Sequence, residues 1–189
     1  RAVDACAKGG VVRVAALLHD VGKPASRAVH AETGDFTFYD HDKIGAPMAD
    51  AALRRLRFSN EDRERVVHLV RHHVFYYADE WTDAAVRRFL QRVGPERLED
   101  LVWLHRADVL ARGTPGDDIE RLNRLLVRVA AVRRAHDALN VRELAVGGND
   151  LMQALSIPPG PQVGVLLREL LERVTEDPRL NERERLIEI

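Results

Sequence analysis

The chain has a single cysteine, Cys6, in 189 residues, so an intramolecular disulfide is excluded. That absence points to a reducing, intracellular setting, and cytoplasmic is the expected location. No apolar run approaches the length of about 18 residues that a membrane helix needs, so no membrane partner is expected. No signal-peptide pattern is present at the start. Lysine is scarce: only Lys8, Lys23 and Lys43, which leaves 26 arginines among the 29 basic residues. The net charge of −1 removes any global basic footprint for nucleic acid and leaves only local patches. Arginine suits bidentate phosphate contacts, but a solvated face is the simpler reading of most of these side chains. The chain opens on Arg1 rather than Met, and the expectation is that it belongs to a longer protein.

What is present is the composition of an ordinary folded protein, 46% hydrophobic and 31% charged. Its length suffices for one good-sized core or two small ones. Amphipathic helical periodicity dominates. It predicts helices over 11–21, 41–57, 61–75, 82–93, 95–112 and 118–139, then 149–155 and 163–176. Ser59 or Asn60, Thr82, Asn149 and Asn181 are the expected caps. Residues 26–40 break the pattern around Thr33-Gly34-Asp35, like a short hairpin or ordered loop. Thr114 to Asp118 reads as a loop. The expectation is an all-α fold, with a helical bundle over residues 1–112 and a smaller helical domain over 117–189.

The stretch AALLHDVGKP (15–24) ends a buried-looking helix on two ionisable residues, His19 and Asp20. Burying such a pair is costly unless it is paired or holds a metal. Further metal-type ligands recur down the chain: His41-Asp42 at a helix start, His68 and His72 at i,i+4 spacing, His73, and Asp108 on an apolar helix. Imidazole and carboxylate together suit Mg, Mn, Fe, Ni or Zn in mixed N/O sites. The bland alternative is an ordinary hydrogen-bonded histidine, and that is the reading for His30, His68, His105 and His136. Asp108 could equally be an arginine's partner.

Order and spacing carry more than any one pair. The segments LLHDVGKP (17–24), HDKIGA (41–46), HLVRHHVFYY (68–77) and RADVLARG (106–113) resemble the HD-domain superfamily of metal-dependent phosphohydrolases. The resemblance implies that His19, Asp20 and Asp108 are core metal ligands. It also implies that His41, His72 and His73 stand where the two-metal branch has extra ligands, and that Lys23 approaches the substrate phosphate. The first histidine of the family pattern is absent; the expectation is that the chain begins just after it.

A second resemblance is more specific. FTFYDHDKIGAPMADAALRRLRFSN (36–60), HHVFYYADEWTDAAVRRFL (72–90) and the stretch from VGGNDLMQAL (146–155) to the final helix are similar to the HD-bearing C-terminal part of bacterial tRNA nucleotidyltransferases, the CCA-adding enzymes and related poly(A) polymerases. That family carries nucleotide addition on an N-terminal head with a GG-x-VRD strand. Here GGVVR (9–13) is followed by Val14 and runs straight into a helix, so it reads as a turn and helix start, and the transferase head is expected to lie outside this chain. The resemblance implies a divalent metal cofactor and hydrolysis of phosphomonoesters, 2′-nucleotides or 2′,3′-cyclic phosphates, with Asp20 and Lys23 in the chemistry. It also implies tRNA or other RNA ends and phosphorylated nucleotides as partners. Candidate RNA contacts are Arg54, Arg55 and Arg57 at one helix end, Arg87 and Arg88 in a second group, and Gly160 and Gly164 in the PPGPQVG turn, whose helix N-terminal amides could meet a phosphate. The competing readings are a non-catalytic RNA-binding body with a vestigial metal site, and a signalling-nucleotide hydrolase with the same HD core.

Overall fold

Alternating helical faces give way to turns where glycine, proline or a polar cap interrupts them, and the fold follows these breaks. The computed structural model describes residues 1–6, 9–113, 116–134 and 140–189. The described helices are α1 (Ala2–Ala5), α2 (Val11–Leu18), α3 (Lys23–Ser26), α4 (His41–Arg55), α5 (Asn60–His72), α6 (Asp83–Val93), α7 (Leu98–Arg112), α8 (Gly116–Arg134), α9 (Gly148–Leu155), α10 (Pro161–Glu176) and α11 (Arg183–Glu188). The only strands among the described residues are β1 (Ala28–Val29) and β2 (Phe36–Thr37), an antiparallel ribbon pairing Ala28 with Thr37 and Val29 with Phe36. The fold is therefore all-α, with the expected hairpin around Gly34, whose φ of 75° suits glycine.

Several expected boundaries move. Helix α2 ends at Leu18 rather than Val21, so His19 and Asp20 sit in the turn that follows it. Lys23 opens a new short helix, with Pro24 in its first turn, instead of merely following a helix end. Helix α5 stops at His72, and residues 73–78 form no regular secondary structure where a helix to Phe75 is expected. Pro95 lies in a turn, and α7 starts at Leu98. Ser59 and Thr82 cap α5 and α6 as expected, accepting from Asp62 N and Ala85 N. Asn149 does not cap α9: the N-cap is Gly147, two residues earlier, and the Asp150 carboxylate accepts from Gly147 N at 2.8 Å. Asn181 does not cap α11. Its side chain bridges Ala145 N (2.7 Å) and Glu143 O (3.0 Å) instead. The Thr114–Pro115 part of the expected loop and the expected end of the long helix over 135–139, with His136, lie outside the described residues. Residues 116–118 already belong to α8.

Two compact units emerge, residues 1–77 with 96–122, and residues 78–95 with 123–189. This differs from the single cut expected near 112–117. The reason is α6, which packs against α10 in the second unit. Arg87 of α6 is buried and donates through Nε to Thr175 O (2.7 Å) and through Nη2 to Glu176 O (3.4 Å), satisfying carbonyls at the end of α10. Gln91 Nε2 adds a bond to Thr175 Oγ1 (2.7 Å). Leu144, Val146, Leu151, Leu170, Val174 and Leu186 form an apolar core in that unit.

In the first unit, α2 packs on α5 and α7, and α4 on α5. Val12, Ala15 and Ala16 of α2, Ala49 and Leu53 of α4, Val66, Leu69 and Val70 of α5, and Leu101 and Leu104 of α7 are buried. Small residues let the backbones approach closely. A Cβ on Gly22 would lie 2.1 Å from His41 O and 2.7 Å from Gly45 N, so the turn after α2 rests directly on the start of α4. This contact brings His19 and Asp20 beside His41.

Candidate metal centre

Two of the three histidines stand where helices leave carbonyls without donors. His19 is the residue after α2, and its Nδ1 lies 2.9 Å from Ala16 O. His73 is the residue after α5, with Nδ1 2.7 Å from Val70 O. Both carbonyls belong to a last helical turn and lack an intrahelical donor. His41 opens α4, with Nδ1 2.8 Å from Phe38 O. A carbonyl oxygen can only accept, so in all three rings Nδ1 carries the hydrogen and donates it. Nε2 is thereby left as the lone-pair nitrogen of each neutral ring, the orientation by which an outer hydrogen bond prepares imidazole for a metal.

The three Nε2 atoms meet two carboxylates. His41 Nε2 lies 3.2 Å from His73 Nε2 and 3.4 Å from Asp20 Oδ1, and His73 Nε2 lies 4.0 Å from the same oxygen. His19 Nε2 is 3.4 Å from both Asp20 Oδ2 and Asp108 Oδ1. It is buried and makes no hydrogen bond of good geometry. Two lone pairs 3.2 Å apart repel, and a buried acceptor between two carboxylates is incomplete. Both defects are removed by a cation, either a proton or a metal. Asp20, His41 and His73 each offer one ligand atom within 4.8 Å of the others, and this donor set fits a divalent ion in mixed N/O coordination.

The electrostatics agree. Burial, reinforced by the neighbouring His19 and His41, holds His73 down at about 4, so it is neutral. Burial also pulls His19 down, but Asp108 and Asp20 outweigh it and raise its pKa. Asp108 is pushed up by burial, yet His19 and Arg112 outweigh that and hold it below the usual carboxylate range. Lys23 Nζ closes on Asp20 Oδ2 at 2.6 Å. Arg112 Nη2 lies 3.4 Å from Asp108 Oδ2 and 3.6 Å from Asp118 Oδ2. A half-open cavity of about 310 Å³ collects Asp20, Lys23, His41, His73, Asp108 and Arg112 on its wall.

Of the residues read from sequence, His19, Asp20, Lys23, His41, His73 and Asp108 are brought together. His72 is not. The chain leaves α5 with His73 buried, while His72 lies beside His68, ring centroids 4.5 Å apart, in a separate groove with Glu64 and Arg71. Asp42 also faces away and accepts from Arg71 at 3.1 Å. Arg87 is corrected as an RNA contact: it is 6% exposed and its guanidinium is engaged by backbone carbonyls. Arg88 stands between Glu172 (3.4 Å) and Glu176. Arg54 donates to Asp50 at 2.9 Å, while Arg55 and Arg57 are exposed at the end of α4. Gly160 precedes α10 in extended conformation, and Gly164 lies within its first turns. The Gln162 side chain folds back to Pro158 O (2.9 Å) over that turn. Gly10, at φ 61°, precedes α2, so GGVVR forms a turn and helix start.

His105 is a site residue that sequence reasoning passes over as ordinary. It lines the cavity, burial lowers its pKa, and its ring packs on Phe75 at 4.5 Å between centroids. Its signal was its place three residues before Asp108 on α7, which puts both on one helix face. Arg112, four residues after Asp108, shares that face.

Comparison with known proteins agrees with this geometry. The HD domain family matches residues 5–113, more than half of the chain. The chain is 42% identical over 165 residues to the CC-adding tRNA nucleotidyltransferase of Thermus thermophilus, covering 87% of this chain and 36% of that protein. It is 36% identical over 167 residues to the A-adding tRNA nucleotidyltransferase of Deinococcus radiodurans, covering 86% of this chain and 37% of that protein. The chain thus spans little more than a third of the length of these relatives. No solved structure matches it significantly. With the HD pair, its distant aspartate and the matched span in agreement, the chain belongs to the HD domain family.

Proposed function

We propose that this chain is the metal-dependent phosphohydrolase part of a tRNA nucleotidyltransferase-like protein. It would act on phosphomonoesters, 2′-nucleotides or 2′,3′-cyclic phosphates, including those at RNA ends. The observation that carries this reading is the convergence of three imidazole Nε2 atoms, each oriented by a backbone carbonyl, on Asp20 and Asp108. His19, Asp20, His41, His73 and Asp108 would hold the ion. A divalent cation, when bound there, would lower the pKa of water and polarise the phosphoryl group.

This chain's own residues account for the rest. Lys23 is held at the cavity by Asp20 and can offset charge that develops on the phosphoryl oxygens. Arg112, at the rim beside Asp108, can hold a second phosphate oxygen. His105, half-buried against Phe75, has its pKa lowered by burial, so it lines the cavity as a neutral ring. The relatives' names concern tRNA, which supports tRNA as partner, and a tRNA-processing role fits the cytoplasm. Arg55 and Arg57 are the exposed members of the expected RNA-contact groups.

The test is hydrolysis of p-nitrophenyl phosphate and of 2′,3′-cyclic AMP with Mg, Mn, Ni or Zn added. Activity is expected in the parent chain and absent in Asp20→Ala and Asp108→Ala. Activity that survives both substitutions would refute the assignment. Tight tRNA binding with no hydrolysis under any metal would favour the non-catalytic RNA-binding body.

A further inference from the structure

The metal cavity does not end at the metal ligands. A second hollow of about 110 Å³ adjoins it, and Phe75, His105 and Arg112 line both. Its far wall carries Tyr76, Arg121 and Asp118. The chain leaving α5 has no regular secondary structure, and burial alternates along it: His73 and Tyr77 are buried, while Val74 and Tyr76 are exposed. Tyr76 is 65% exposed, so one face of its ring is open to the hollow. It is also held in place: the Arg121 guanidinium lies over its ring, 4.5 Å from the centroid. Phe75, one residue earlier, is fixed by its contact with His105.

We propose that this second hollow binds the nucleobase of the substrate, stacked on Tyr76 and the Arg121 guanidinium, while the phosphate lies at the metal cavity. The assignment rests on the phosphohydrolase reading for the phosphate end and adds what the site recognises beyond it. A phosphate alone needs only the metal ligands, Lys23 and Arg112. An exposed aromatic–arginine stack has no part in that chemistry, but it offers what a flat heterocycle seeks, a π-face with a cation behind it. Asp118, on the same wall, can accept from an exocyclic amine or a ribose hydroxyl. Arg112 stands on the shared wall between Asp108 and Asp118, where it links the two compartments. A base is common to free nucleotides and to the last residue of an RNA chain, so both must be probed.

The experiment measures equilibrium dissociation constants on the full chain loaded with Mn, independently of turnover. The probes are AMP, ribose 5-phosphate and a trinucleotide bearing a 3′-phosphate. AMP or the trinucleotide is expected to bind roughly five- to hundred-fold more tightly than ribose 5-phosphate, the range that base stacking gives. That ratio should collapse toward one in Tyr76→Ala and survive in Tyr76→Phe. Which of the two probes shows the Tyr76-dependent preference identifies its source. A ratio near one in the parent chain, or one untouched by Tyr76→Ala, overturns the proposal even if the chain hydrolyses phosphate esters. Conversely, a Tyr76-dependent preference without hydrolysis upholds the base compartment and refutes the hydrolase reading.

Discussion

At the scale of single residues, the centre is built from helix ends. Three imidazoles donate Nδ1–H to carbonyls three residues back, so their tautomers are set before any ion arrives. Lys23 is the residue whose removal separates binding from chemistry. Lys23→Ala should lower hydrolysis by about 10² while metal affinity stays within a few-fold, measured by steady-state kinetics beside metal titration. His73 gives a pH prediction. It is held at about 4, chiefly by burial, against an ordinary value of 6.5. Between those values the unfolded chain binds a proton that the folded chain refuses, so stability rises with pH across that window and is lost as pH falls through it. The contribution is at most about 3 kcal/mol. His19 opposes it: its raised pKa gives stability that is present below 6.5 and lost at higher pH. Denaturant unfolding of the metal-free chain at a series of pH values should therefore show a positive slope from pH 4 to 6.5 that is flattened in His73→Gln. An unchanged slope in that variant would show that His73 is not buried as a neutral ring.

At the scale of elements, the contact that positions the centre is the turn after α2 against the start of α4. Gly22→Ala would force a methyl onto His41 O, so it should cost about 2–3 kcal/mol and weaken metal binding together. Gly116→Ala, where an added Cβ meets nothing, is the control and should be neutral in a thermal melt. Arg87→Ala should cost about 2 kcal/mol, because it strips the carbonyls of Thr175 and Glu176 of their buried donor, and leave metal affinity alone. Much of this scale was legible in the sequence. Periodicity located the helices, and Ser59, Thr82 and the Gly34 turn marked their interruptions. What was not legible depends on space rather than pattern. The Gly22 contact is with residues that follow it by about twenty positions, and Arg87 looked like a surface arginine because its partners lie in a helix almost ninety residues away. His72 was misread because adjacent residues at a helix end face different sides, His73 inward and His72 into the groove beside His68. His105 was passed over although its spacing to Asp108 was visible.

At the scale of the whole chain, the two compact units are interleaved in sequence, since residues 78–95 belong with 123–189. A chain ending at Leu122 would leave the apolar face of α6, with Val86, Phe89, Leu90 and Val93, without α10. Such a truncation should aggregate or lose its cooperative melt, whereas a clean, stable melt would mean α6 does not depend on the second unit. The expected cut near 112–117 followed local loop signals, and only long-range packing reassigns α6. The site itself lies wholly within the first unit, as do both hollows that adjoin it. The most direct measurement is therefore isothermal titration of the metal-free chain with Mn, Ni or Zn, repeated on Asp20→Asn and His73→Gln variants whose helical circular dichroism is intact. Saturable divalent binding that is lost, or weakened at least ten-fold, in both variants is the predicted result. No saturable binding, or binding indifferent to both substitutions, would contradict a metal centre at these residues.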